Sequence, residues 1–381
     1  MHDAMEFREG LPGDRRQPVR TGDARLAVGL PKGIFTVDDS GTVPGGGQCA
    51  PGARGADGHD VGATGSRNSD GSPRFDQSVA PGGYCWWYID ALSDDGAHAL
   101  TVIAFVGSVF SPYYARAFER LGAAVDPEDH VCINVALYGQ AGHRWAMTER
   151  GRGSLARGRD VFSVGPSSLH WNGRWLELQF DERGCPWPAR IRGRLRLHPS
   201  AFTAWSGCLD ESGLHRWAPL APCARVEVDV IDGPRWRGSA YLDSNAGDEP
   251  IHRPFERWDW SRSPLADGGT AVMYDVQCKS GAEHLISRCF RPDGTSEPFD
   301  APPRRDLPRT AWGIRRTTRS HEDLRPVVTA VFENTPFYVR DAVKTSLMGQ
   351  TVVGVHESLD ARRLASPLVR MMLPFRMPRR A

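Results

Sequence analysis

The sequence predicts an all-β protein, with two tandem β-barrel or sandwich units that follow a disordered Gly-rich N-terminal extension. Three observations support this prediction. Apolar and polar residues alternate over many short segments, turn-forming residues separate those segments, and helical periodicity is sparse. This pattern favours antiparallel sheets over an alternation of helices and strands. The length of 381 residues suits two domains.

The N-terminal extension is expected to cover residues 1–74. Residues 41–72 are rich in Gly, Pro and Ser and contain almost no large apolar side chain. A segment of that composition cannot bury enough apolar surface to form a core of its own. We therefore expect the extension to be disordered.

The first β unit is expected over residues 75–234. An Asp-Asp-Gly turn divides residues 83–110 into two strands, and Asn172-Gly173 between aromatic flanks is a strong hairpin signal. In residues 189–199, Ile and Leu alternate with Arg, which indicates one buried face and one solvated face. The strand segments are residues 83–110, 130–139, 169–180, 189–199 and 225–230. A short helix is predicted over residues 113–121.

The second β unit is expected over residues 235–381. Gly233-Pro234 interrupts the strand pattern, so the boundary between the units is placed near residues 231–237. After this boundary the alternation of apolar and polar residues begins again. Its strand segments are residues 270–278, 284–290, 325–332 and 350–360.

A basic, amphiphilic tail follows Asp360, after which the sequence has no acidic residue. Its arginines are interspersed with Leu, Val, Met and Phe, a composition that suits an anionic lipid surface. A terminal strand with solvated arginines would have the same composition. The arginines are Arg362, Arg363, Arg370, Arg376, Arg379 and Arg380.

The overall composition and the known short motifs exclude several functional classes. The chain has 47 Lys and Arg against 46 Asp and Glu, and this net charge of +1 argues against a nucleic-acid binder. The sequence contains no phosphate-binding loop, no nucleophile elbow and no zinc motif, and its dinucleotide-type glycine pattern is incomplete. No cofactor or metal is therefore predicted, and any chemistry should depend on acid–base groups and pocket shape.

Twelve Trp residues point to an aromatic-lined pocket. On a strand, Tyr84, Trp86 and Tyr88 share one face, and Trp258 and Trp260 share a face of another segment. The first motif suits either a core strand buried on both faces or the wall of an elongated apolar pocket. The second suits either a strand with ion pairs and stacked Trp or a second pocket wall.

Two same-face pairs carry the candidate chemistry. His215 lies two residues before Trp217, and Tyr241 lies two residues before Asp243. A lone His is often a structural group with satisfied hydrogen bonds, and Asp243 could simply begin the turn-like residues 244–247. Alternatively, apolar surroundings raise the pKa of the Asp243 carboxyl and make it a usable acid.

Several motifs together resemble the carotenoid 1,2-hydratases of purple bacteria, also called hydroxyneurosporene synthases. The resemblance covers residues 73–380, and the motifs give the first 72 residues no counterpart. The motifs are GGYCWWYIDALSDDGAHALTVIAFVGSVFSPYY, HRWAPLAP, GSAYLDSNAGDEPI, FERWDWSR, HESLD and MLPFRMPRR.

This resemblance implies an enzyme, a hydro-lyase that adds water to the terminal C1–C2 double bond of acyclic carotenoids such as neurosporene and lycopene. The products lie on the route to spheroidene- or spirilloxanthin-type pigments. The resemblance further implies tandem lipocalin-like β units and no cofactor. It places the functional His-x-Trp and Tyr-x-Asp pairs on His215, Trp217, Tyr241 and Asp243, while Tyr274-Asp275 offers a rival acid.

On this interpretation, Asp243 protonates C2 and water captures the tertiary cation left at C1. Trp217 and Tyr241 would stabilise the cation through their ring faces. His215 would position the attacking water and accept its proton, or orient Asp243. We expect a cytoplasmic protein, peripherally associated with the inner or intracytoplasmic membrane and in possible contact with other carotenoid-pathway enzymes. A carotenoid or lipid carrier without catalysis, and a related catalyst for another polyprenoid, are the alternatives.

Overall fold

The computed structural model describes residues 65–139, 142–185 and 187–380. An extension is predicted for residues 1–74, and its first 64 residues lie outside the described residues. Residues 65–74 form a turn closed by a bridge between Arg67 and Pro73. The described structure therefore begins ten residues before the expected start of the first β unit.

The predicted all-β class is confirmed, because strands make up most of the regular structure in the described residues. The strands before residue 250 belong to one antiparallel sheet. They are β1 (Tyr84–Ser93), β2 (His98–Val106), β3 (Val131–Gly139), β4 (Arg144–Met147), β5 (Glu149–Arg150), β6 (Leu155–Arg157), β7 (Val161–Val164), β8 (Ser167–Trp171), β9 (Leu176–Arg183), β10 (Arg190–Pro199), β11 (Gly207–Cys208), β12 (His215–Val230) and β13 (Arg235–Gly247).

The strands between residues 250 and 360 are β14 (Phe255–Pro264), β15 (Thr270–Cys278), β16 (Glu283–Phe290), β17 (Ser296–Pro298), β18 (Arg304–Asp306), β19 (Thr317–Arg319), β20 (Val327–Asn334), β21 (Tyr338–Leu347) and β22 (Gln350–Asp360). Seven of them form a second antiparallel sheet with the order β17-β16-β15-β14-β22-β21-β20, while β18 and β19 pair separately.

The remaining elements are short. The last strand, β23 (Arg379–Arg380), returns to the first sheet and pairs in parallel with β5. Among the described residues, no helix is long and apolar enough to cross a membrane. The helices are α1 (Pro112–Leu121), α2 (Ala361–Leu364) and α3 (Pro367–Met372), and single 3₁₀ turns lie at Gly122–Ala124, Pro127–Asp129, Arg152–Ser154 and Leu373–Phe375.

Local sequence signals explain several of these elements. Asn172-Gly173 joins β8 to β9 as predicted, and the Asn172 side chain accepts hydrogen bonds from the backbone N–H groups of Arg174 and Trp175, both at 3.0 Å. Gly173 takes a φ of 87°, a conformation that glycine adopts without strain. The predicted short helix is present as α1, and its N-cap Ser111 accepts from two backbone N–H groups of the first turn.

The expected boundary at 234/235 lies in the turn of the β12–β13 hairpin, and both strands belong to the first sheet. The chain passes to the second sheet between Gly247 and Phe255. Residues 235–247, which the sequence grouped with the second unit, therefore complete the first sheet. The division of the chain into two folding domains stays a prediction.

Strand β1 is buried on both faces and separates two hydrophobic cores. Trp87 and Ile89 point into a core formed by the first sheet itself. Tyr84, Trp86 and Tyr88 point the other way, into a core shared with aromatic residues of the second sheet. The alternation of side chains along one strand thus places an aromatic face between the sheets.

A buried charge cluster joins the two sheets beside this aromatic face. Asp90 of β1 accepts hydrogen bonds from Arg262 of β14 and Arg340 of β21, and all three side chains are almost completely buried. Arg340 also donates to Glu357 of β22. Charges removed from water in this way need their partners, so the cluster fixes the sheets relative to each other.

We expect Asp90→Asn to lower the free energy of unfolding by about 3–5 kcal/mol, since it leaves buried guanidinium groups without a counter-charge. Chemical denaturation monitored by tryptophan fluorescence measures this change. Asp94→Asn is the matched control, because Asp94 forms an exposed ion pair with Arg225 and should lose less than about 1 kcal/mol. Equal losses in the two variants would contradict a central role for Asp90.

Candidate active site

A cavity of about 250 Å³ lies between the aromatic faces of the two sheets. The first sheet contributes Trp86, Tyr88, Asp243 and Asn245, and the second contributes Trp258, Trp260, Tyr274 and Glu357. The C-terminal segment closes another side with Val369, Met372, Leu373, Arg376 and Met377, while Met147 and Glu333 also line the cavity. Met372 and Trp312 are lining residues that are 37% and 46% exposed, so the cavity reaches the surface there.

Asp243 is the carboxyl that the strand pairing brings to this cavity. Its β13 position lies opposite Tyr88 of β1 and Pro219 of β12. The side chain is 3% exposed, and its Oδ2 accepts hydrogen bonds from Trp217 Nε1 at 2.8 Å and from the Tyr241 hydroxyl at 2.9 Å. Both donors are uncharged, so Asp243 receives polar contacts here without a counter-charge.

Strand geometry explains why these donors reach the same oxygen. Tyr241 precedes Asp243 by two residues and therefore shares its face of β13. Trp217 lies two residues before Pro219, which places it diagonally across β12 from Asp243. The Trp217 ring is held from the far side by edge contacts with Trp205 and Tyr274, each with ring centroids 5.5 Å apart.

Burial raises the pKa of Asp243 to about 7. Desolvation is the main cause, the hydrogen bonds from Trp217 and Tyr241 act in the opposite direction, and the charges of Glu357 and Asp90 raise the pKa further. Near neutral pH a large fraction of Asp243 is therefore a neutral carboxylic acid, which can donate a proton.

The five aromatic residues predicted to bind substrate are divided by the structure. Trp86, Tyr88, Trp258 and Trp260 line the cavity, and the Tyr88 and Trp260 rings meet edge to face at 5.5 Å. Tyr84 stacks on Trp86 at 4.9 Å but lies behind it, outside the cavity lining. The aromatic residues of β1 and those of β14 thus form walls on opposite sides of the cavity.

His215 lies away from Asp243, at the first pair of the β12–β13 pairing. It pairs with Gly247, four residues along β13, a separation of about 13 Å at the usual rise of a strand. Its Nδ1 forms a 2.8 Å hydrogen bond with the Tyr84 hydroxyl, and its ring packs against Phe255. Burial lowers its pKa. His215 is not among the cavity-lining residues, and its described hydrogen bonds do not include one to Asp243.

Gly247 makes room for this arrangement. A Cβ atom at this position would lie 2.4 Å from the Tyr84 ring and 2.7 Å from His215 Nδ1. The glycine of the SNAGD sequence therefore allows Tyr84 and His215 to meet over β13.

The rival acid Asp275 has a different environment. It follows Tyr274 on β15, so its side chain points to the opposite face of the second sheet. Its carboxylate forms ion pairs with Arg304 at 2.6 Å and Arg319 at 2.9 Å. Asp275 thus has the counter-charges that Asp243 lacks, and it does not line the cavity.

The cavity residues that were not singled out from the sequence include Asn245, Glu357 and Glu333. The period of two along β13 could have identified Asn245, since it shares the face of Tyr241 and Asp243. Glu357 stands within the HESLD motif, but its proximity to Asp243 depends on how the two sheets pack. Glu333 forms an ion pair with Arg376 at 2.9 Å at the C-terminal side of the cavity.

The site therefore combines an apolar, aromatic space with a buried acid, Asp243, whose pKa is about 7. Within residues 65–139, 142–185 and 187–380, no group of three or more His, Cys, Asp or Glu side chains is arranged to hold a metal ion. The geometry can accept the end of an apolar chain and bring a proton donor to it.

The raised pKa of Asp243 predicts a pH-dependent effect of Asp243→Asn on stability. The unfolded carboxyl titrates near pH 4 and the folded one near pH 7, so keeping Asp243 buried becomes more costly as the pH rises between these values. The variant should therefore gain stability relative to wild type over this range, by at most about 4 kcal/mol. Urea denaturation of both proteins at pH 4.5, 6 and 7.5 measures the difference, and a pH-independent difference would contradict the assignment.

Comparison with known proteins identifies the family. Residues 102–381 match the family model described as carotenoid hydratase CrtC. The acyclic carotenoid 1,2-hydratase of Rubrivivax gelatinosus is 54% identical over 381 residues, covering 100% of this chain and 94% of that protein. The protein of the same name from Thiocapsa roseopersicina is 46% identical, covering 99% of this chain and 93% of that protein. Both alignments include the N-terminal extension, for which the motifs had given no counterpart.

A solved structure of a protein described as a putative AttH from Nitrosomonas europaea is 15% identical, with a TM-score of 0.49 over 73% of this chain and 92% of that one.

The sequence relatives and the family model confirm the family predicted from the sequence motifs. They also confirm the class of enzyme, a carotenoid 1,2-hydratase and thus a hydro-lyase. The chain belongs to the carotenoid hydratase family CrtC.

Proposed function

We propose that this enzyme adds water to the terminal C1–C2 double bond of acyclic carotenoids such as neurosporene and lycopene, giving 1-hydroxy carotenoids. The observation that carries the proposal is Asp243, a buried carboxyl with uncharged donors at the edge of an aromatic cavity. The names of the two bacterial relatives support the substrate class.

The reaction begins with transfer of the Asp243 proton to C2 of the bound alkene. Trp217 and Tyr241 donate to Oδ2 at 2.8 and 2.9 Å, whereas Oδ1 accepts only a long 3.5 Å hydrogen bond from Asn245. We therefore place the proton of the neutral acid on Oδ1. The resulting cation is tertiary and lies at C1, where water bonds to it. We assign Asp243 the role of general acid.

Aromatic faces stabilise the cation. Trp86, Tyr88, Trp258 and Trp260 line the cavity, and a cation over such a face gains about 2 kcal/mol or more when desolvated. Trp217 and Tyr241 act instead as positioning residues, because their polar atoms are directed at Asp243.

His215 is proposed as a positioning residue for Tyr84 and the adjoining end of the cavity wall. The support is its hydrogen bond to Tyr84, which in turn stacks on the cavity residue Trp86. Its separation from Asp243 argues against the water-binding role expected from the sequence.

Asp243→Asn should lower the hydration rate by about 100-fold or more, because the amide keeps the shape of the side chain but loses the acidic proton. Purified protein is incubated with lycopene or neurosporene in H₂¹⁸O without added cofactor, and mass spectrometry detects the labelled alcohol.

The hydration rate of the wild-type enzyme should fall as the pH rises through about 7, where Asp243 loses its proton. The same assay repeated over a range of pH measures this change.

Asp275→Asn is the matched control for this experiment, since the same change is made in a carboxyl outside the cavity. Near-normal turnover by Asp243→Asn would refute the assignment of the acid. A shifted carotenoid spectrum without any product from wild type would indicate a carrier, and product from shorter isoprenoids alone would indicate another polyprenoid as substrate.

We further propose that the enzyme meets its substrate at a membrane through the outer face of its C-terminal segment. There Leu368 and Met371 are each 64% exposed and Phe375 is 78% exposed, while the inner face of the same segment lines the cavity. Most of the tail arginines form ion pairs, for example Arg362 with Glu256 and Arg376 with Glu333. This pairing favours contact through apolar side chains over attraction to anionic lipid.

Changing Leu368, Met371 and Phe375 together to Ser should weaken binding to phosphatidylcholine vesicles by at least about tenfold, since full burial of even one such side chain is worth about 1.5–3 kcal/mol. Vesicle flotation measures the bound fraction, with and without phosphatidylglycerol. Changing the exposed Val161, Val327 and Val331 to Ser is the control. Flotation that persists unchanged in the variant of Leu368, Met371 and Phe375 would argue against this surface.

A cytoplasmic location and contact with other carotenoid-pathway enzymes stay predictions.

A further inference from the structure

Glu357 is a second carboxyl in the cavity, and the mechanism above gives it no task. On β22 it pairs with Trp260 of β14 on one side and with Arg340 of β21 on the other. It lines the same cavity as Asp243 but comes from the opposite sheet.

Glu357 has a positively charged hydrogen-bond partner. Its Oε1 accepts hydrogen bonds from the buried guanidinium of Arg340 and, at 2.6 Å, from the Tyr88 hydroxyl. Asp243 receives hydrogen bonds from a Trp and a Tyr but from no cation. One cavity therefore holds a carboxyl bonded only to uncharged donors and a carboxyl bonded to a guanidinium, two environments that suit different roles.

Tyr88 connects the two groups. It is the cross-strand partner of Asp243, and its hydroxyl bonds to Glu357 across the gap between the sheets. The same ring packs against Trp260. An alkene end held against these rings would have Asp243 to one side and Glu357 to the other.

We propose that the Glu357 carboxylate is the base that accepts a proton from water as the water oxygen bonds to C1. This inference rests on the hydratase function proposed above. The alkene electron pair forms the new C2–H bond with the Asp243 proton, and a water lone pair forms the C1–O bond. The proton released from that oxygen passes to Glu357. Asp243 ends as the carboxylate and Glu357 as the acid, and return of one proton through solvent restores both.

Glu357→Gln in D₂O tests the proposal. Its hydration rate should fall about 100-fold or more, the usual worth of a general base. Asp243 should still deliver a deuteron to C2, and the cation, without effective capture by water, should lose a C2 proton back to Asp243. The recovered carotenoid should then carry deuterium at C2, and the ratio of alcohol to deuterated alkene should drop sharply relative to wild type. Asp243→Asn should stop both processes.

The ratio of alcohol to deuterated alkene does not depend on the fraction of folded protein, so it separates a chemical role of Glu357 from a structural one. Glu182→Gln is the matched control, because Glu182 forms a buried 2.9 Å pair with Arg150 outside the cavity, and its ratio should equal that of wild type. If Glu357→Gln does not fold, Glu357→Asp replaces it, since it keeps the charge beside Arg340 but withdraws the carboxylate, and its ratio should also fall.

An unchanged ratio in the folded variant would overturn the proposal, whether hydration and exchange are both retained or are lost in parallel. Absence of alcohol from the wild-type protein itself would instead refute the hydratase function, and so the two failures are distinguishable.

Discussion

The buried charge cluster around Asp90 is the constraint on which the cavity depends. Asp90 bonds to arginines of two strands in the opposite sheet, and one of these, Arg340, also bonds to Glu357. A displacement of one sheet against the other would separate these charges while they remain buried. The cluster therefore fixes where the aromatic wall of the first sheet meets that of the second, and with it the position of the cavity.

Two of the carboxyl groups in the cavity illustrate how surroundings determine chemistry. Asp243 and Glu357 are the same functional group, placed on neighbouring parts of two packed sheets. The indole and phenol around Asp243 stabilise a carboxylate less than a guanidinium does, so desolvation dominates and raises the pKa of Asp243. Arg340 and Tyr88 surround Glu357 instead. The difference comes from side chains on several strands and from neither carboxyl alone.

The sequence predicted those features that depend on local periodicity. The period of two correctly grouped Trp86 with Tyr88, and Tyr241 with Asp243, and the Asn-Gly pair located a hairpin. It could not predict which strands become neighbours. His215 and Asp243 stand in equivalent-looking pairs, but the register of β12 on β13 sets them four residues apart. The sheet change after Gly247 was equally hidden, because a tight turn such as Gly233-Pro234 can join two strands of one sheet as well as two domains.

The methionines that line the cavity give the site a further property. Met147, Met372 and Met377 supply flexible thioether side chains to the wall, and such side chains adapt to apolar shapes that rigid rings do not fit. Oxidation would convert each of them to a polar sulfoxide and make the wall less suited to a hydrocarbon. Met372 is the most exposed of the three and stands where the cavity reaches the surface. The apolar character of this opening would therefore change with the oxidation state of Met372.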